Sequence, residues 1–504
     1  MEEGTKRIGY NTGMIDSPPH RLVHLTHPEA HIPGHQMPET AAPPPTRGQL
    51  VGGFLLVMAV AIAGFTLEHW THHAEDATIT LPWLIPFGLL LGSIAVMPFV
   101  ARHFWEHHYH QVSLALGLLV AVYYFAAVEH GPANIGRSVS EYISFIFLLG
   151  SLFVVSGGIL IRVRARATPL ANVVLLGIGA IIANLFGTTG ASMLLIRPYL
   201  RMNKAHLRPY HVVFFIFIVS NVGGSLTPIG DPPLFLGYLL GVPFTWVFEH
   251  CWPIWILVNG LLLIVFGLID ARSHWKEPRQ PYNGNDPGPV VSLYGVVNLL
   301  FVALIVAGIL LHGQLNAWTR RHLGFEGPWR ELLMIIAAFG SLVSTPPRVH
   351  GDNHFNYLPI KEVAYLFAGI FLTMVPALNY LAQNAPILHV TGPTPFYFAT
   401  GGLSSVLDNA PTYQVFFQSL VHRYDGGLAA VLNEPAGALM LVGISMGAVL
   451  FGAMTYIGNG PNFMVRSIAD HAGAQTPGFF RYIYAFSLPV LLPILLLVWV
   501  LFLR

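Results

Sequence analysis

Charge is scarce in this chain. Lys, Arg, Asp and Glu together make up 10% of its 504 residues, while 54% are hydrophobic. A soluble domain carries about 25% charged residues. The sequence therefore holds too little charge to coat a water-facing surface, and lipid must cover much of it. The charges that do occur nearly cancel, to a formal net of +1, which leaves no basic field for nucleic acid. Cysteine is almost absent too. Cys251 stands alone, which excludes a disulfide framework and any cysteine-rich metal or iron–sulfur centre. No phosphate-cradling G-x-x-x-x-G-K-S/T loop occurs, so ATP-driven pumping is disfavoured.

What is abundant is long apolar sequence. A spanning helix needs about 20 apolar residues. Runs of this kind cover 48–67, 81–100, 111–130, 139–161, 245–270, 291–312, 329–345, 361–382 and 482–503. Four further segments, 169–196, 211–241, 394–420 and 437–465, are apolar but interrupted by Gly, Pro, Asn and Thr, which a continuous helix would not choose. The pattern predicts an all-α polytopic membrane protein with about 11 transmembrane helices and two re-entrant helical hairpins. Residues 1–47 are polar, rich in Pro and His, and carry no apolar signal segment. They read as a disordered cytoplasmic tail, with metal buffering by its histidines as a minor alternative.

Loop charges set the expected orientation, because cytoplasmic loops collect Lys and Arg. Arg162, Arg164 and Arg166 precede 169–196, and Arg197, Arg201, Lys204 and Arg208 follow it. Both ends should thus be cytoplasmic, and about 28 residues at 1.5 Å rise are too short to cross twice. The segment must enter and turn back. Arg272, Lys276 and Arg279 place the 271–290 loop on the same side. Arg320, Arg321 and Arg330 fit badly, since they fall on the predicted outer side.

The two halves repeat. Glu141 matches Glu362 at an offset of 221, and at that offset Gly187, Thr188 and Gly190 fall on Asp408, Asn409 and Pro411. GGSLTPIGDPPLFL (223–236) matches FGAMTYIGNGPNFM (451–464) at an offset of 228, pairing Thr227 with Thr455, Gly230 with Gly458 and Asp231 with Asn459. Five crossings separate the copies, and an odd number inverts the second one. Inverted repeats with discontinuous helices meeting at the midplane are a secondary-transporter architecture. The expected units are the tail 1–47, scaffold helices 48–138, a first repeat 139–270 with its inner hairpin at 169–196, a linker with scaffold helices 271–360, and a second repeat 361–504 with its outer hairpin at 394–420.

Non-helical backbone at membrane depth survives only inside protein or beside a water-filled cavity, and each break exposes helix ends that attract ions. The candidate site residues are therefore the polar ones at the breaks. They are Thr188, Thr189 and Ser192 in the first hairpin, Asn221, Thr227 and Asp231 in the first broken helix, Ser405, Asp408, Asn409 and Thr412 in the second hairpin, and Thr455 and Asn459 in the second broken helix. These oxygen-rich side chains suit a small hard cation such as Na⁺. Asp231 and Asp408 are the acidic residues of the four segments, whose interiors hold no Lys or Arg. An intramembrane carboxylate costs at least about 2.5–3.5 kcal/mol to insert, which marks both as functional candidates. The competing reading is helix capping, and it weighs more on Asp231, where GDPP also signals a helix start. On this reading Asp408→Asn abolishes transport, while Asp231→Asn is milder because its repeat mate is already Asn459. Glu141 and Glu362 read as interfacial capping residues. The group His103, Glu106, His107, His108 and His110 reads as a short loop in an interfacial aromatic belt with Trp105 and Tyr109.

At NVGGSLTPIGDPP (221–233) and SSVLDNAPT (404–412) the sequence resembles the ion transporter superfamily, in the branch that holds arsenite permeases, sodium/proton antiporters and citrate transporters. The resemblance covers about 139–503. It implies a homodimer, a scaffold domain, a moving transport domain that holds both hairpins, elevator-type alternating access and a bacterial inner-membrane location with a cytoplasmic N-terminus. Two departures stand against carboxylate binding. The first hairpin reads Gly-Thr-Thr-Gly where superfamily carboxylate carriers have Ser-Asn-Thr, and the second broken helix reads Ala-Val-Leu-Phe-Gly in place of an Asn-x-Gly-Gly start.

Sodium/proton antiport is the leading expectation, with Na⁺ as transported or coupling ion and no resident cofactor or metal. Coupled citrate uptake and arsenite efflux are the alternatives. An intramembrane aspartyl hydrolase would require Asp231 and Asp408 to share a proton at about 3 Å.

Overall fold

The computed structural model describes residues 47–70, 79–163, 167–204, 206–275, 291–353, 355–384 and 392–504. The Pro- and His-rich tail lies outside the described residues, as do Arg164, Arg166 and the loop bearing Lys276 and Arg279. Four helices open the described chain: α1 (Arg47–Trp70), α2 (Ile85–Val100), α3 (Arg102–Ala127) and α4 (Gly131–Gly157). After strand β1 (Leu160–Val163) come α5 (Pro169–Met202), α6 (Pro209–Ile218), α7 (Pro232–Leu239) and α8 (Trp246–His274). Strand β2 (Val291–Tyr294) leads into α9 (Asn298–Leu323), α10 (Trp329–Ser344), α11 (Pro347–Asp352) and α12 (Leu358–Asn384). The last part holds α13 (Pro393–Ser404), α14 (Asn409–Val421), α15 (Gly427–Asn433), α16 (Pro435–Phe451), α17 (Gly460–His471) and α18 (Phe479–Leu503). Nine helical segments among the described residues are long and apolar enough to cross a bilayer. The chain is thus a helical multi-pass membrane protein. A feature the sequence reading lacked is a two-stranded antiparallel ribbon that pairs Leu160 with Tyr294 and Val163 with Val291. Strands of four residues between helices carry too short a pattern to be read from alternation.

By length α5 counts among those nine segments, yet it is a hairpin. Gly187 interrupts it at φ 72°, ψ 157°, a region essentially restricted to glycine. The two ends then meet, since Asn172 and Asn203 exchange amide hydrogen bonds of 2.9 and 2.8 Å. Asp270 of α8 seals this closure by accepting from Asn172 at 2.8 Å and from the Tyr210 hydroxyl at 2.8 Å. The hairpin runs six residues further than the expected end at 196, because its second arm remains helical to Met202. Gly187→Ala is expected to destabilise the protein by about 1–3 kcal/mol, seen as a lower midpoint of thermal unfolding in detergent. The second hairpin is α13 and α14, turning at 405–408.

The broken helices are α6–α7, interrupted over 219–231, and α16–α17, interrupted over 452–459. Equivalent contacts recur in both halves. A Cβ on Gly223 would come within 2.7 Å of Ala180 Cα, and at the matched positions a Cβ on Gly401 would come within 2.5 Å of the Phe451 ring. The small residue changes sides, but the close approach of hairpin to broken helix is kept. The leading helices of the repeats, α4 and α12, also pack together: Tyr142 Oη donates to Ala364 O at 2.9 Å, and Phe145 stacks on Phe367 at 4.8 Å between centroids.

Three sequence expectations are corrected. Glu141 lies in the interior of α4 rather than near a helix start. The His103–His110 group sits in the first turns of α3, not in a loop, and Nδ1 of His107 and of His108 each donate to a carbonyl one turn earlier at 2.9 Å. Arg330 is not a loop charge. It is buried in the first turn of α10 and ion-paired with Glu331 at 2.6 Å. Orientation rules count Lys and Arg of loops, so Arg330 drops out of that count.

Candidate functional site

The four interruptions converge on one carboxylate. Asp231 Oδ1 accepts from Thr188 Oγ1 at 2.7 Å and from Asn459 Nδ2 at 3.0 Å, and Oδ2 accepts from Asn409 Nδ2 at 2.6 Å. Each interrupted segment thus contributes one residue: Thr188 from the tip of α5, Asp231 from the first break, Asn409 from the second hairpin and Asn459 from the second break. All four are at most 2% exposed, so the cluster is closed. Thr188 and Asn409 are repeat mates, and so are Asp231 and Asn459. A residue that bonds its own mate lies where a twofold relation places both at its axis. The backbones agree as well, with Asp231 at φ −144°, ψ 143° and Asn459 at φ −152°, ψ 140°, each preceding the first turn of its helix.

Neighbouring hydrogen bonds repeat this symmetry. Thr227 Oγ1 donates to Asn184 O at 2.6 Å, and its mate Thr455 donates to Ser405 O, also at 2.6 Å. Each threonine hydroxyl also accepts a backbone N–H from its own break, from Gly230 at 3.1 Å and from Ile457 at 3.2 Å. The threonines clamp each break onto its own hairpin, the first at Asn184 in the first arm and the second at Ser405, where the turn begins.

Asparagine amides satisfy the backbone that the breaks leave open. Asn184 donates to Gly223 O at 2.7 Å and accepts from Leu226 N at 3.0 Å. Asn221 donates to Ile216 O at 2.8 Å and to Asn462 Oδ1 at 2.7 Å. Asn462 in turn donates to Gly452 O at 2.8 Å and Thr455 O at 2.9 Å. Asn184 escaped the candidate set, although an amide within an apolar hairpin was a usable signal.

The remaining candidates lie at or near the hub without touching Asp231. Ser192 pairs with Ser220 at 2.8 Å. Ser405 turns its hydroxyl back to Gly402 O at 2.7 Å, and Thr412 donates to Asp408 O at 2.9 Å. Thr189 is half-buried beside Thr188. The two aspartates exchange the roles that sequence suggested. Asp408 Oδ1 accepts from Ala410 N at 3.1 Å and so caps α14. Asp231 occupies a cap position but makes no capping hydrogen bond, because its oxygens serve the hub. Asp231 and Asp408 each have their own distinct hydrogen-bond partners.

Helices start at Thr188, Pro232, Asn409 and Gly460, each at or beside a hub residue. Helix N-termini carry partial positive charge, and here four of them surround one carboxylate. No salt bridge to Asp231 occurs among the described residues, whereas Asn409 Oδ1 is buried with no partner. An apolar cavity of about 330 Å³ lies elsewhere, between α8, α16 and the end of α18, and is lined by none of the hub residues.

A multi-pass helical protein whose two hairpins and two broken helices meet at a buried carboxylate is a secondary transporter, not an enzyme. Its lineage agrees: a family profile described as "Putative citrate transport" matches residues 76–503, and the chain belongs to that family. Proteins described as uncharacterized transporters in Mycobacterium bovis and Mycobacterium tuberculosis are each 27% identical over 337 residues, covering 62% of this chain and 72% of the relative.

Proposed function

We propose that the protein exchanges a small cation, Na⁺, for protons at the Asp231 hub. One observation carries this reading: a fully enclosed carboxylate bonded by Thr188, Asn409 and Asn459, with no cationic side chain paired to it. A closed cluster of touching side chains has room for a proton or, after small adjustments, a bare ion. Asn409 Oδ1, which has no donor, and Asn221 Oδ1, which accepts only a 3.2 Å bond from Asn459, offer further oxygen ligands of the type hard cations take. The reading includes movement of both hairpins as a transport body against the outer helices, a homodimer, and a bacterial inner-membrane setting with the N-terminus in the cytoplasm. In liposomes loaded with a pH dye, a Na⁺ or Li⁺ gradient is expected to drive proton movement. Its absence from mildly acidic to mildly alkaline pH would remove the reading.

The family description favours a second reading, coupled citrate uptake. Four helix N-termini at one point give it a physical basis, since such ends can hold a carboxylate without Arg or Lys. Citrate is larger than the closed hub, so this reading requires the second hairpin to part from Asp231. Uptake of radiolabelled citrate into the same liposomes separates the two.

A further inference from the structure

A polar tie from α4 enters the second arm of the second hairpin. Gln414 of α14 donates from Nε2 to Oε2 of Glu141 on α4 at 3.1 Å. Gln414 is 1% exposed, and its Oε1 is buried without a partner. Glu141 is therefore the hydrogen-bond partner that holds this amide among the described residues. Five positions earlier on the same helix stands Asn409, whose amide meets Asp231 at 2.6 Å. A rigid helix of this length transmits a displacement of one residue to the other.

The two hairpins differ in how they are tied. The ends of α5 are closed by the reciprocal Asn172–Asn203 pair and by Asp270, and Asn184 bonds both a carbonyl and an N–H of the first break. The position equivalent to Asn184 in the second hairpin is Ser405, whose side chain reaches only Gly402 O within its own arm. Leu403 and Val406 at this tip are each 44% exposed. The second hairpin is anchored at the base of α13, where Thr394 donates to Leu503 O at 2.9 Å and Tyr397 to Leu495 O at 3.2 Å, while α14, the arm that carries Asn409, is held from α4 by the Gln414 tie, and a half-satisfied amide is a tie that can be released.

We propose that Glu141 is a positioning residue for the hub: acting through Gln414, it holds α14 so that Asn409 reaches Asp231, and it lets go when the second hairpin moves. Arg137 lies one helical turn before Glu141 on α4, while Arg330 and Glu331 of α10 are engaged with each other and with Ser144. The contact itself rests on geometry alone. The exchange reading enters only through the choice of Na⁺ as one probe.

The test uses the full chain with a cysteine at Ala410, a fully buried position of α14 next to Asn409, against a background of Cys251, which is also buried. A water-soluble maleimide reports exposure of residue 410 in liposomes. Glu141→Leu and Gln414→Leu, which remove the tie from opposite sides, are each expected to speed labelling about tenfold, equivalent to about 1.4 kcal/mol of lost hold. Glu141→Gln, which keeps an acceptor for Gln414, and the exchanged pair Glu141→Gln with Gln414→Glu are expected to label at the parent rate. In Na⁺-driven proton movement, the Leu variants should raise the half-saturating Na⁺ concentration more than they change the maximal rate. Unchanged labelling in Gln414→Leu, or equal acceleration by Glu141→Gln and Glu141→Leu, would overturn the proposal. Faster labelling in the Leu variants without any Na⁺ response in the parent would uphold the tie and remove the exchange reading instead.

Discussion

Asp231→Asn is expected to reduce coupled transport to the level of empty liposomes while leaving the protein folded. Three donors converge on the carboxylate: the Thr188 hydroxyl and the Asn409 and Asn459 amides. An asparagine at 231 keeps the size and one acceptor oxygen but turns the other atom into a donor, which would face an amide N–H. The hub can absorb this. Asn409 Oδ1 is unpartnered, so a half-turn of that amide presents an acceptor to the new N–H. Stability should therefore fall by only about 1 kcal/mol, the net scale of one hydrogen bond. Function is not so forgiving, because an amide cannot take up and release a proton and brings no negative charge to balance a cation. Asp231→Ala would confuse the two effects, since it strands three buried donors at about 1–3 kcal/mol each. The checks are proton movement and citrate uptake in liposomes, with thermal unfolding measured alongside. Normal transport by Asp231→Asn would displace the hub from the mechanism under either substrate reading.

Asp408→Asn should be the milder change, the reverse of the order that sequence suggests. Asparagine caps helices about as well as aspartate, and capping α14 through Ala410 N is the contact Asp408 makes. A single sequence could not rank the two. Both sit in interrupted apolar segments, and GDPP looks more like a helix start than LDNAP does. What decides the ranking is the meeting of repeat mates. The offsets of 221 and 228 already paired Thr188 with Asn409 and Asp231 with Asn459. They did not say that Asp231 and Asn459 would touch, or that Thr188 and Asn409 would both bond Asp231, because alignment gives equivalence and not distance.

The hairpins and breaks were legible for a related physical reason. Gly187 in GTTG, Pro411 in DNAP and the GDPP and GNGP stretches violate helix continuity inside sequence too apolar to be a loop. Such a conflict has few solutions at membrane depth. Less legible were the side chains that make the breaks tolerable. Asn184, Asn172, Asn203 and Gln414 carry no motif of their own, and their partners lie 31 to 273 residues away in sequence. Glu141 was visible but misassigned, because its place in the repeat drew attention to a helix start that lies ten residues earlier, at Gly131.

Arg330→Met is expected to destabilise the protein by about 3–5 kcal/mol, the usual effect of removing one partner of a buried ion pair. Arg330 and Glu331 are adjacent in sequence, and neighbours on a helix do not ordinarily face each other. Here both side chains turn towards α4. Arg330 donates to Glu331 Oε1 from Nε at 2.8 Å and from Nη2 at 2.6 Å, while Ser144 donates to the same oxygen at 2.8 Å and accepts from Arg330 Nη2 at 2.9 Å. Both charged side chains are less than 10% exposed. Removing the guanidinium leaves a buried carboxylate with no charge partner, held on its side-chain side by the Ser144 hydroxyl. Removing both charges leaves no such debt, because Met and Leu fill the volume and the Ser144 hydroxyl can return to the carbonyl one turn earlier on α4. The double variant Arg330→Met with Glu331→Leu should therefore recover to within about 1 kcal/mol of the parent, or exceed it. Denaturant or thermal unfolding of the four members of this cycle in detergent measures the coupling directly. Additive losses, with the double variant less stable than either single one, would mean that Arg330 and Glu331 act separately. The structure would then need another account of why two charges lie inside the helical bundle.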